Sequence, residues 1–160
     1  MIFVTVGSQK FQFNRLLKWL DNLVINKVIN EEVVAQIGYS EYVPKYFKYK
    51  KFLDRSEFSD LMGKSDLVIT HAGTGAIIKG LKLEKKVIAV PRNMKYDEHV
   101  DNHQYEIANT FYKNGYILIA TNISEFEKCI DEYSRFQPRK YISNTTEYIK
   151  FICRYIEGEL

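Results

Sequence analysis

Residues 66 to 91, DLVITHAGTGAIIKGLKLEKKVIAVP, restrict the fold of this chain more than any other stretch. A short β-branched run, DLVIT, breaks at a histidine and two glycines. It resumes with helical spacing and closes in a second apolar run, KVIAVP. That order predicts a strand, a tight turn, a crossover helix and a second strand parallel to the first, with a right-handed connection. Parallel strands of this kind are apolar on both sides and need helices over both faces.

The rest of the chain repeats the alternation. IFVTVG reads as a first strand rather than as a signal peptide, because a basic leader and a cleavage site are both missing. Phe13, Leu16, Leu17, Leu20 and Val24 then keep helical spacing. EVVAQIG predicts a second strand closed by Gly38. SEFSDLMGKS predicts a helix with Ser56 as N-cap. YDEHVDNHQYEIANTFYKNG predicts a helix with Val100, Ile107, Ala108 and Phe111 inward, stopped at NG, followed by strand YILIA. Helical patterns around 123–134 and 144–156 end the chain. The expected fold class is α/β: a Rossmann-like, mostly parallel sheet with helices on both faces, over one unit spanning 1–160.

Composition removes several functional classes. With 46% hydrophobic, 27% charged and 14% aromatic residues, the chain is neither disordered nor of low complexity. No apolar run reaches the length of a membrane span. A net charge of +3 suits anionic ligands but does not argue for nucleic acid. Cys129 and Cys153 lack CxxC spacing and read as reduced, mostly buried thiols of a cytoplasmic protein. KYFKYKKF reads as a loop leading into a buried strand, with a nucleic-acid or membrane-surface contact as the alternative. Tyr148, Ile149, Phe151, Ile152, Tyr155 and Ile156 give the last helix a wide apolar face, for the sheet alone or also for a partner.

In doubly wound sheets ligands bind beyond the carboxyl ends of strands, beside helix N-termini. Three segments reach such ends: GSQ, THAGTG and PRNMKYDEHVDNHQ. Gly73 and Gly75 clear side chains from the turn, while Thr74 and Ala76 open a helix whose free N–H groups suit a phosphate. The same turn also suits a plain strand–helix joint. Its spacing matches neither the Walker A loop nor GxGxxG, so an ATPase or a dinucleotide enzyme is not supported. His71 is placed to touch a diphosphate or to orient the turn, and Arg92 to offset phosphate charge or to sit on the surface. Glu98, His99, Asp101, Asn102, His103 and Gln104 crowd polar groups into one helix start. His99 and His103 at i, i+4 raise a metal-dependent hydrolase as the competing reading, although HExxH order is absent.

VTVGSQ, DLVITHAGTG and VIAVPRNMKYDEHVDNHQ together resemble the donor-binding half of family 28 glycosyltransferases. Within that family the chain is similar to the small subunit of split, two-chain enzymes. These include the PssE-type subunit of bacterial capsule and exopolysaccharide synthesis and the soluble subunit of the eukaryotic UDP-N-acetylglucosamine transferase of lipid-linked oligosaccharide assembly. The resemblance implies a single GT-B half-domain that binds a UDP-sugar. Gly73, Thr74 and Gly75 would face the diphosphate with Gly7 and Ser8 nearby. His71, Arg92, Glu98 and Asn102 would lie around the donor, His103 and Gln104 would touch its sugar, and Phe52 and Leu53 would hold uracil. MurG-type relatives carry an acid for the ribose hydroxyls where this sequence has Lys79. The resemblance further implies an inverting transfer of galactose or N-acetylglucosamine to a lipid-linked saccharide, with no metal and no cofactor beyond the donor. Its partner would be a membrane-anchored, acceptor-binding PssD-type subunit that completes the cleft, supplies any catalytic base and holds this chain at the cytoplasmic face. A non-catalytic, stabilising role beside a glycosyltransferase is the remaining alternative.

Overall fold

The computed structural model describes residues 1–158, so the last two residues of the expected 1–160 unit lie outside the described residues. The apolar runs form β1 (Ile2–Thr5), β2 (Val33–Gln36), β3 (Lys48–Lys50), β4 (Leu67–Thr70), β5 (Lys86–Ala89) and β6 (Leu118–Ile119). They join in one sheet of order β3-β2-β1-β4-β5-β6, and every pairing is parallel. The order reverses between β1 and β4, which are paired Ile2 to Leu67 through Thr5 to Thr70. Crossovers leave in opposite directions there and open a crevice beyond the strand ends.

Alternation along the strands divides the core in two. Ile2, Val4, Ile69 and Ile88 face one layer, built by Leu16, Leu17 and Leu20 of α1 (Asn14–Ile25) and Phe126 of α5 (Ile123–Glu132). Phe3, Val68 and Val87 face the other, with Met62 of α2 (Arg55–Lys64), Ile77 and Leu81 of α3 (Thr74–Lys82) and Ala108 of α4 (His103–Lys113). Helices cover both faces, as the apolar runs require.

Several local expectations change. The cap of α2 is Asp54, not Ser56: its carboxylate accepts from Glu57 N at 2.8 Å, and Glu57 reaches back to Asp54 N at 3.3 Å. A reciprocal box satisfies two free N–H groups where Ser56 would satisfy one. Helix α4 begins only at His103. Met94–Tyr96 is a single 3₁₀ turn and Asp97 is left-handed at φ 54°, so Val100 is exposed rather than inward. Strand β3 is a fully exposed edge, not a buried strand. Its lysines are of the kind that keep sheet edges from pairing with other chains. Cys129 is buried, but Cys153 is exposed. Helix α6 (Thr145–Ile156) buries no residue, so it does not cover the sheet.

Candidate functional site

The crevice at the reversal point holds a cleft of about 510 Å³ lined by Gly7, Ser8, Leu53, His71, Gly73 and Gly75 from among the expected residues. Thr5 and Gln36 at strand ends complete the floor. Asp54, Arg55 and Phe58 of the α2 start, with Ala76 and Lys79 of α3, form the walls. The start of α3 is uncapped: Gly73 offers no side chain, and the first bond returned within the helix is from Ile77 N to Gly73 O at 3.1 Å. The three N–H groups of Thr74, Gly75 and Ala76 therefore open toward the cleft with the positive end of the helix dipole.

The glycines of this turn serve space rather than torsion. Gly73 has an ordinary φ of −66°, whereas the left-handed residue is Ala72 at φ 68° with its methyl buried. A Cβ on Gly73 would stand 2.5 Å from His71 Nε2, and one on Gly7 would stand 2.7 Å from His71 Cε1. The imidazole is thus wedged between two glycines. Gly75 has nothing within 4 Å of its missing side chain. Gly73 makes room for His71, and Gly75 alone makes room for something from outside.

Burial, and then the Arg92 charge, lower the His71 pKa to about 4, so the ring is neutral near pH 7. Its Nδ1 lies 3.3 Å from Thr5 O. A carbonyl only accepts, so Nδ1 carries the proton and Nε2 is left as an acceptor. Held at Nδ1 and wedged between the two glycines, His71 is placed to orient the turn. Gln36 joins the strand ends by donating to Gly7 O at 3.2 Å and accepting from Leu53 N at 3.2 Å. Lys79 bonds Ser59 Oγ at 2.6 Å and lies 4.9 Å over the Phe58 ring. It sets a cation in the wall beside Arg55.

The remaining expected residues are elsewhere. Phe52 is half-exposed outside the cleft, edge-on to Tyr39 at 5.1 Å, and Thr74 contributes its backbone at the helix start. Arg92 is fully buried, not on the surface. Its Nη2 donates to Val6 O at 2.6 Å and Phe11 O at 3.2 Å, tying the β1–α1 loop to the end of β5. Glu98 is also fully buried. It accepts from Arg15 Nε at 2.9 Å and Nη2 at 2.8 Å and from Asn93 N at 2.9 Å, so its carboxylate is committed within the fold. Gln104 Oε1 accepts from Arg92 N at 3.2 Å, and Asn102 Oδ1 accepts from Met94 N at 3.2 Å. His103 is exposed beside Glu106.

His99 precedes α4, bonds Asp101 and Gln9, and packs on Phe11, so it shares no helix face with His103. Among the described residues no group of three or more His, Cys, Asp or Glu is arranged to hold a metal ion. Sequence reasoning missed Thr5, Gln36, Asp54, Arg55 and Phe58, and treated Lys79 only as a departure. Two signals were present: a glutamine closing the apolar run EVVAQ, and the D-x-x-E box at 54–57 that starts a helix beside the crevice.

Comparison with known proteins agrees with this fold. In the solution structure of ALG13, 93% of that chain and 94% of this one superpose with a TM-score of 0.61 at 19% identity. Acinetobacter baumannii MurG gives a TM-score of 0.54 over 82% of this chain and 40% of that one, at 15% identity. The UDP-N-acetylglucosamine transferase subunit ALG13 of Candida glabrata is 34% identical over 125 residues, 77% of this chain and 58% of that protein. The mouse protein of the same name is 30% identical over 135 residues, 74% of this chain but 10% of that much longer protein. Residues 1–152 match the model of the glycosyltransferase family 28 C-terminal domain, and the chain belongs to that family.

Proposed function

We propose that this chain is the donor-binding subunit of a two-component inverting glycosyltransferase, with a UDP-sugar in the cleft between α2 and α3. The observation that carries the reading is the uncapped start of α3 at the sheet's reversal point, where Gly75 faces open space. Three backbone donors and the helix dipole suit a diphosphate, and Arg55 and Lys79 add positive charge. Leu53, whose N–H bonds Gln36, also lines the cleft, which supports a place for the uracil beside it. The name of the ALG13 relatives favours N-acetylglucosamine over galactose as the transferred hexose.

In the reaction an acceptor hydroxyl oxygen forms a bond to the anomeric carbon as the bond from that carbon to the diphosphate oxygen breaks. The hydroxyl proton passes to a base on the partner chain, and UDP leaves. Amides at the α3 start stabilise the charge that grows on the departing diphosphate, which is the contribution of this chain to the rate. The acceptor, a lipid-linked saccharide in capsule or exopolysaccharide assembly, is presented by a membrane-anchored subunit. That subunit holds this chain at the inner face of the membrane.

The test is calorimetric titration of UDP into the protein without added metal. Binding between about micromolar and millimolar Kd is expected. Stabilisation by other nucleotides with no effect of UDP would overturn the reading. If the assembled enzyme keeps its activity when Gly75→Leu is introduced here, the chain only stabilises its partner.

A further inference from the structure

We propose that Asp54 reads the ribose of the donor, accepting hydrogen bonds from its 2′- and 3′-hydroxyls and so selecting ribonucleotide over 2′-deoxyribonucleotide donors. The inference rests on the donor reading above, since it assigns the part of a nucleotide that lies between base and diphosphate. A ribose carries two neighbouring hydroxyls, and each brings a proton that needs an acceptor. Taking both at once suits a carboxylate, which has two acceptor oxygens and no donor. Asp54 is the only carboxylate among the described residues that line the cleft.

Asp54 directly follows Leu53, beside which the uracil would lie, and both line the cleft together with Gly73, Gly75 and Ala76. The ribose joins the base to the diphosphate, so it runs from the Leu53 side to the start of α3. Asp54 stands at the beginning of that path. Other acceptors of the cleft are engaged or too few. Gln36 spends its amide oxygen on Leu53 N, and Thr5 Oγ1 accepts from Gly7 N at 3.3 Å. Ser8 and His71 each offer one acceptor atom, which does not span two neighbouring hydroxyls. Lys79, on the α3 wall, has three donors and no acceptor, so it leaves the hydroxyl protons without partners.

The Asp54 carboxylate is held in place and yet open to a ligand. Its Oδ1 accepts from Glu57 N at 2.8 Å, which fixes the side chain at the start of α2. Its Oδ2 has no hydrogen-bond partner, and the residue enters no ion pair, among the described residues. Capping needs one oxygen, so the other is surplus to the fold. Glu57 closes the box through Asp54 N at 3.3 Å and is itself paired with Lys50 of β3. Gln36 of β2 holds Leu53 N at 3.2 Å. The carboxylate is thus tied to the sheet from both sides before a ligand arrives, which lowers the cost of ordering it on binding.

The test is calorimetric titration of UDP and of 2′-deoxy-UDP into the wild-type chain, Asp54→Asn and Lys79→Met. Wild type is expected to bind UDP about tenfold or more tightly than the deoxy form, the loss that follows from one missing bond to a charged group. Asparagine caps a helix about as well as aspartate, so Asp54→Asn should unfold at the wild-type temperature. Its single amide oxygen is taken by Glu57 N, and it should bind the two nucleotides with nearly equal affinity. Lys79→Met should weaken both alike and keep the preference. Equal binding of both nucleotides by wild type, or an undiminished preference in Asp54→Asn, would overturn the inference and leave the donor site standing. Loss of the preference in Lys79→Met alone would overturn it in favour of that lysine. Binding of neither nucleotide by wild type would remove the donor reading and this inference with it.

Discussion

Gly73 and Gly75 lie two residues apart in one turn, yet replacing them should move stability in opposite directions. Adding a Cβ at Gly73 places it 2.5 Å from His71 Nε2 and 2.7 Å from Cε1. The ring has little room to yield, because Gly7 closes its other side and Nδ1 is held by Thr5 O. Overpacking of this kind costs about 1–3 kcal/mol, or a fall in Tm of about 2–12 °C for a chain of this size. At Gly75, the second residue of α3, an added Cβ meets nothing within 4 Å. Alanine or leucine there is a better helix former, so stability should rise by about 0.5 kcal/mol. Its effect falls on the ligand: a side chain over the amides blocks bonds to a charged group worth about 1.5–3 kcal/mol each. UDP affinity should then drop about tenfold or more. Thermal unfolding of Gly73→Ala, Gly75→Ala and Gly75→Leu, with and without UDP, reads both effects. A Gly75→Leu protein that is folded and still binds UDP normally refutes the cradle. A Gly75→Ala protein as unstable as Gly73→Ala refutes the division of roles.

Two further perturbations test the framework around the cleft. The His71 pKa is lowered from 6.5 to about 4 by burial. Between those values the unfolded chain binds a proton that the folded chain refuses. The His71 contribution is thus intact above pH 6.5 and is lost as pH falls toward 4, by up to about 3 kcal/mol. Urea midpoints measured from pH 7 to pH 4 should show this fall, and His71→Asn should flatten it; an unchanged slope would assign it to other groups. Glu98→Ala should destabilise by about 3–5 kcal/mol, because it strands the half-buried Arg15 guanidinium and Asn93 N. Pairing it with Arg15→Met should recover much of that loss in urea unfolding, and a single-variant cost below about 1 kcal/mol would contradict the assignment.

The parts of the fold that were legible are those where burial is the only requirement. Leu67 to Ile69 and Val87 to Val90 are apolar at every position because both sheet faces are covered, and nothing competes with that signal. Edges and helix starts were harder. KYK forms β3 although it has no buried side, since backbone pairing with β2 alone suffices at an edge. Ser56 and Asp54 are both good caps, and the choice between them was made by Glu57, three residues beyond Asp54, so that the box closes there. The start of α4 slipped to His103 because Asn93 and Asp101 bond nearby N–H groups and hold the preceding residues in turns. Of the site, the sequence marked the strand ends and the turn, because glycine reveals that a backbone is crowded. It does not reveal by what: the crowding body at Gly73 is His71, from the same loop.

The polar run PRNMKYDEHVDNHQ shows the same limit from the other side. A carboxylate kept for a ligand and one spent inside the fold are identical letters, and only its hydrogen bonds separate them. Glu98 is spent on Arg15 and Asn93. Arg92 is not fully spent, since its buried Nε and Nη1 have no partner among the described residues. Burial lowers its pKa only to about 10, so it stays charged near pH 7. The Glu98 carboxylate that helps to keep it charged is itself engaged by Arg15, which leaves the local balance positive. That field reaches the cleft, because the Arg92 charge is among the causes that lower the His71 pKa. A cation that disfavours a proton on His71 favours negative charge at the same place. Arg92 therefore adds positive potential at the cleft without lining it, from its place between the end of β5 and the loop after β1.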